Sequence, residues 1–185
     1  MGQSKALLTC PDGRTFVRAL AAALRDGGVE EPLIVGRADD EGLRLEVAAI
    51  GEGARLVINE DPDRGGQLSS LVAGLRQADR AGIRALMVVP VDAPLVTSDT
   101  VATLIAAFSA TGAPVVRARF QGRNGHPVIF SRAVFDQLRG ADPHVGAKAV
   151  LRAHASAIVN VDVEDSAVVG DVDTPEDYRR LRDRS

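Results

Sequence analysis

Short runs of uninterrupted apolar residues recur along this chain, each separated from the next by a stretch with helical spacing, and this alternation constrains the fold more than any other feature. Residues 33–35, 55–58 and 85–91 are continuously apolar or nearly so and do not alternate between apolar and polar. A strand of that kind must be covered on both faces, which predicts a mostly parallel sheet between layers of helices. The intervening segments 15–25, 41–50, 68–81 and 98–108 place apolar residues at helical spacing. Gly27-Gly28 and Gly82 stop two of them, because glycine accepts the left-handed conformation of a helix end without a Cβ clash.

After Pro114 the rhythm changes. Residues 115–120 and 127–130 read as two strands separated by the polar, glycine-bearing run 121–126, and are expected to form a hairpin-like insert beside the sheet. Short helices at 132–138 and 145–154, a strand at 157–161 and a last helix at 175–182 complete the pattern. With 185 residues, 45% of them hydrophobic, and no repeat or linker, the chain reads as one three-layer α/β domain.

Composition excludes several classes. The formal net charge of -3 argues against a nucleic-acid partner, which calls for a clustered basic face. The apolar runs fall far short of the roughly 20 residues of a membrane span. A single cysteine, Cys10, makes no internal disulfide and fits a reducing compartment such as the cytoplasm. His126, His144 and His154 are scattered without the spacing of zinc ligands.

In open parallel sheets ligands collect beyond the carboxyl ends of the strands, so polar residues directly after apolar runs are the candidates for chemistry. Asp92 closes the run Met87-Val88-Val89-Pro90-Val91 and is open to two readings: a hard oxygen ligand for magnesium, or an Asx turn ahead of Pro94. In Asp171-Val172-Asp173-Thr174-Pro175-Glu176-Asp177, Thr174 as N-cap, Pro175 at the first helical position and Asp177 in a capping box account for much of the cluster. Capping does not require Asp171, which is therefore a candidate second metal ligand. Lys5, in the polar segment opening the chain, either neutralises polyphosphate charge or is simply solvated. Asp61-Pro62-Asp63-Arg64-Gly65-Gly66-Gln67 leads into Ser69 and Ser70, where helix-start amides receive an anion or base edge unless capping by Ser69 or Asp63 is their whole purpose. His126 precedes Pro127 and is thereby held extended, either projecting its ring into a cleft or serving a plain turn.

Taken in order, these segments resemble the nucleotidyltransferase family that includes molybdopterin cytidylyltransferase and molybdopterin guanylyltransferase. Met1-Gly2-Gln3-Ser4-Lys5-Ala6-Leu7-Leu8 matches the second half of the family's opening motif, Leu-Ala-Ala-Gly-x-Ser-x-Arg-Met-Gly-x-x-Lys-x-Leu-Leu. Glu60-Asp61-Pro62-Asp63 with Gly66 and Ser69-Ser70 matches its asparagine-proline-aspartate loop, and Pro90-Val91-Asp92-Ala93-Pro94 its metal-binding aspartate motif. Gly125-His126-Pro127 is similar to a motif of the cytidylyl branch, and 171–177 to the closing acidic motif.

The resemblance implies a three-layer, Rossmann-like nucleotidyltransferase domain over 1–185. It implies transfer of a nucleoside monophosphate from CTP, or else GTP, to the terminal phosphate of molybdopterin or its molybdenum form, with release of pyrophosphate. Asp92 and Asp171 would share Mg2+, with Asp173 a further candidate. Lys5 would act on the triphosphate. Gly2, Gly66, Gln67, Ser69 and Ser70 would line the nucleotide, and Asn124, Gly125 and His126 would face the pterin. A molybdoenzyme or its insertion chaperone is the protein partner implied. A related transferase with another phosphorylated acceptor, or a non-catalytic cofactor-binding module, are the competing readings. Because the chain opens inside the first motif, the family's first strand and the first half of its loop are expected to be missing, with a gap or rearranged pairing between the strands at 33–35 and 85–91.

Overall fold

The computed structural model describes residues 4–63 and 66–183. Helices and strands alternate in the order α1 (Phe16–Asp26), β1 (Leu33–Arg37), α2 (Glu41–Ile50), β2 (Arg55–Asn59), α3 (Gly66–Ala78), β3 (Ala85–Val88) and α4 (Ser98–Thr111). The hairpin β4 (Val115–Phe120) and β5 (Arg123–Ser131) follows, then α5 (Phe135–Arg139), α6 (Lys148–Ala153), β6 (Ile158–Asp162) and α7 (Pro175–Arg182). Local chemistry sets the boundaries. Thr15, Asp40 and Thr97 each accept the backbone N–H three residues on, satisfying donors that a helix start leaves free.

Strand β1 pairs with β2 in a parallel two-stranded sheet, and the other four strands follow the order β3-β5-β4-β6. Only β4 and β6 are parallel in the second sheet, while β5 lies antiparallel between β3 and β4. Strands β3, β4 and β6 therefore point one way and β5 alone runs against them. The hairpin is not an insert beside the sheet, as the sequence suggested, but its middle. The reason is burial: Val115, Val116 and Ala118 on β4 and Val128, Ile129 and Phe130 on β5 are all at most 4% exposed, so both faces of these strands need cover. Gln121 and Gly122, with φ of 48° and 79°, make the two-residue reversal, a geometry that matches the twist of the flanking strands.

One face of this sheet packs Val115, Val128 and Phe130 against Leu75 of α3, Phe135 and Leu138 of α5 and Val150 of α6. The other packs Val116, Ala118 and Ile129 against Leu104 of α4 and Val168 of the turn Ser166–Val169. The result is the expected three-layer α/β arrangement. Strands β1 and β3 belong to different sheets and, among the described residues, no strand is hydrogen-bonded between them. Leu33–Arg37 and Ala85–Val88 instead border a shared cavity of about 1250 Å³.

Candidate active site

Three segments distant in sequence meet beyond the carboxyl ends of β3, β4 and β6. The first is the short helical turn Lys5–Leu7. The second is the turn after β3, which ends at Val88 and not at Val91. Pro90, lacking an N–H, cannot continue a ladder, and its carbonyl accepts the Ala93 N–H at 3.2 Å, so Asp92 sits in a tight turn a few residues past the strand. The third is the stretch between the Ser166–Val169 turn and α7, where the Val172 N–H donates to the Asp92 carbonyl at 2.8 Å and brings Asp171 and Asp173 alongside.

Lys5 Nζ stands 2.9 Å from Asp173 Oδ1 and 3.9 Å from Asp92 Oδ2. The Asp92 side chain is 18% exposed and that of Asp173 64%. Burial, and next the charge of Asp171, raise the Asp92 carboxyl above its ordinary range, with Lys5 opposing. Asp171 is thus close enough to Asp92 for their charges to interact, and a divalent cation would relieve both the repulsion and the desolvation. Among the described residues no three His, Cys, Asp or Glu side chains converge into a metal cage of their own. One or two carboxylates completed by substrate phosphates is the way magnesium is usually held, and this donor set fits it. The capping box is formed as expected, with Thr174 and Asp177 bonding each other's backbone N–H, so Asp177 is a helix cap and lies outside the acidic pair.

The nucleotide candidates divide. Gly66, at φ +53°, opens α3, and Gln67 and Ser70 line the cavity with Lys5 and Asp92. Ser69 does not line it; its hydroxyl donates to the Gly66 carbonyl at 2.8 Å. Gly2, and Gly65 of the loop, lie outside the described residues. Asp63 is paired with Arg37 at 2.9 Å on the surface. Sequence reading missed Asn59, the last residue of β2 and only 5% exposed. Its amide nitrogen donates to the hydroxyls of Ser69 and Ser70 at 2.9 and 3.2 Å, and its oxygen accepts the Asp61 N–H at 3.1 Å. The signal was available: a lone amide closing an apolar run and opening a polar loop.

The acceptor candidates divide too, because Asn124, Gly125 and His126 lie within β5 and not in a loop ahead of it. Asn124 is exposed and does not line the cavity. Gly125 faces the backbone of the 166–169 turn so closely that a Cβ there would stand 1.8 Å from the Val168 carbonyl oxygen. Its glycine is a packing requirement. His126 alone of the three lines the cavity. Burial pushes its imidazole below the ordinary value, against the pull of Asp171 and Asp92, and its Nδ1 is buried without a hydrogen-bond partner.

Known proteins share the sequence pattern and the fold. The sequence profile of the MobA-like NTP transferase domain matches residues 1–158. The purine catabolism protein PucB of Bacillus subtilis (strain 168) is 25% identical over 188 residues, covering 98% of this chain and 89% of that protein. The crystal structure of Rv0371c of Mycobacterium tuberculosis H37Rv in complex with manganese is 27% identical, covers 98% of this chain and 92% of that one, and superposes with a TM-score of 0.78. Molybdopterin-guanine dinucleotide biosynthesis protein A of Archaeoglobus fulgidus, at 17% identity over 98% of this chain and 90% of that one with a TM-score of 0.68, shares the fold. With its profile match over most of the length and a lysine and aspartate cluster at the carboxyl edge of the sheet, this chain belongs to the MobA-like NTP transferase domain family, a family of nucleotidyltransferases.

Proposed function

We propose that this protein transfers a nucleoside monophosphate from CTP to the terminal phosphate of molybdopterin or the molybdenum cofactor, releasing pyrophosphate, with 1–185 acting as a single nucleotidyltransferase domain. The observation that carries the reading is the cluster of Lys5, Asp92, Asp171 and Asp173, of which Lys5 and Asp92 line the same cavity as Gly66, Gln67 and Ser70. The Gly125-His126-Pro127 motif, similar to the cytidylyl branch, supports CTP.

The attacking phosphate is already ionised, so the site needs no nucleophilic side chain and no general base. Positioning and charge neutralisation at the α-phosphorus supply the rate. Asp92 and Asp171 would hold a divalent cation, taken as Mg2+, with Asp173 beside them; the ion supplies Lewis acidity toward phosphate oxygens. Lys5 reaches the same space and would exchange its carboxylate partners for the triphosphate. His126, kept neutral by burial, adds no charge to the cavity wall where the pterin would lie. No helix among the described residues is long and apolar enough to cross a membrane, which is compatible with cytoplasmic work and handover of product to a molybdoenzyme or its chaperone. A second reading keeps the nucleotide chemistry and changes the acceptor, since PucB is by name a protein of purine catabolism.

The test is pyrophosphate release from CTP by the purified protein with Mg2+ and molybdenum cofactor, against GTP and against other phosphorylated acceptors. Cofactor-dependent release from CTP is expected. Release only with GTP reverses the nucleotide assignment, and release only with another acceptor establishes the second reading.

A further inference from the structure

Two strand edges border the cavity with no strand hydrogen-bonded between them. Among the described residues β1 pairs only with β2 and β3 only with β5, so each leaves its other edge of N–H and C=O groups without a strand partner. Helices close the space on both faces. Ile34 and Met87 join clusters with Val17 and Leu20 of α1, while Leu86 and Val88 pack with Leu71 and Leu75 of α3. Leu20 and Leu24 from one side and Leu71 and Gly74 from the other line the space between. Burial agrees: all of β3 and the first four residues of β1 are only partly buried, although both are apolar and lie between helices, whereas Val128, Ile129 and Phe130 of β5 are at most 4% exposed. The two edges also run the same way. Glu31, ahead of β1, pairs with Arg80, ahead of β3, at 2.7 Å. At the other end Val91, past β3, packs in one cluster with Ala6 and with Leu43 of α2, the helix that follows β1.

We propose that this cavity is a slot for one more β-strand, and that its occupant is an apolar segment of this same polypeptide on the amino-terminal side of Ser4, running parallel to both β1 and β3. Two unpaired edges call for alternating donors and acceptors at strand spacing on both sides of the occupant, and two apolar helix faces call for apolar side chains above and below. A peptide strand meets all four demands at once. About five residues match the length of β1. The source follows from direction: Ser4 lines the cavity together with Lys5 and Asp92, at the end where a parallel strand would finish and hand on to the chain. An antiparallel occupant would finish beside Glu31 and Arg80, about 16 Å away at 3.3 Å per residue. With the slot filled, the two sheets become one continuous sheet.

The experiment is amide hydrogen exchange with thermal melting on three samples: the 185-residue chain, the same chain extended by the residues its reading frame encodes immediately upstream, and the 185-residue chain with an added peptide, Val-Val-Ala-Val-Val with a lysine tail. In the 185-residue chain, the amides of β1 and β3 that face the slot should exchange at least about 100-fold faster than those bonded to β2 and β5, because nothing protects them. The extension should slow them by about 100-fold or more and raise the melting temperature by about 10 °C or more, the scale of several net hydrogen bonds plus apolar burial in a chain of this size. A proline at the centre of the added strand removes a ladder donor and should abolish both effects. If the 185-residue chain does not fold alone, the extended chain and its proline variant decide. An upstream sequence with no apolar run of about five residues, an extension that changes neither exchange nor melting, or slow exchange at the slot-facing amides of the unextended chain overturns the proposal. Protection by the added peptide and none from the extension overturns it too, and gives the slot to a partner's strand.

Discussion

Gly125→Ala separates a packing role for this glycine from a role facing the pterin. The added Cβ would stand 1.8 Å from the Val168 carbonyl oxygen and 2.6 Å from its carbon, both backbone atoms that no side-chain rotation can move aside. Ordinary overpacking costs about 1–3 kcal/mol. Here strand β5 or the 166–169 turn must shift as a whole, which places the cost at the upper end, about 3 kcal/mol. At about 2–4 °C per kcal/mol for a chain of this size, the melting temperature should fall by about 6–12 °C. The damage should also reach the chemistry, because the displaced turn continues into Asp171 and into Val172, whose N–H bonds the Asp92 carbonyl. Gly122→Ala is the control: nothing lies within 4 Å of its Cβ, and only its φ of +79° is strained, at about 1–2 kcal/mol. Thermal melts and pyrophosphate release on both variants check the reasoning. Gly125→Ala that melts within about 1 °C of the native chain would refute the packing argument, and normal stability with lost activity would restore the pterin-facing role.

Two further outcomes are expected. Asp92→Asn should lower kcat by about 100-fold or more, as loss of a preorganised charge contact does, yet hold or slightly raise the melting temperature at pH 7, because burial and Asp171 already disfavour the Asp92 carboxylate; a variant that unfolds would assign Asp92 a structural role. Cys10 is 2% exposed and burial, with Asp12 adding, pushes its thiol up to about 11, so the folded chain should resist thiol reagents at pH 8 and react promptly in denaturant. Since the folded thiol holds its proton longer than an unfolded one, its contribution to stability is complete below about pH 9 and is lost as the pH climbs through 11.

What the sequence determined by itself was whatever depends on neighbours along the chain. Helix α2 at Glu41–Ile50, α7 at Pro175–Arg182 and the Thr174 to Asp177 capping box were legible because a helix is made of contacts three and four residues apart. The layering followed from apolar runs that need two covers. Asp171 was legible as a candidate because the cap beside it does not require it, whereas Asp92 and Lys5 each kept a local reading, an Asx turn and a solvated cation, that only the resemblance weighed against. Only the tertiary structure decided the rest. Strand pairing is a contact between distant segments, so the central position of the β4–β5 hairpin could not be read from two strands and a turn. Gly125 looked like part of a ligand motif until the turn from residues 166–169 closed on it, a contact between segments more than forty residues apart. Asn59 showed as one amide at the end of a strand, and its hold on Ser69, Ser70 and Asp61 exists because α3 folds back over β2 and buries that amide, where each of its polar atoms must find a partner.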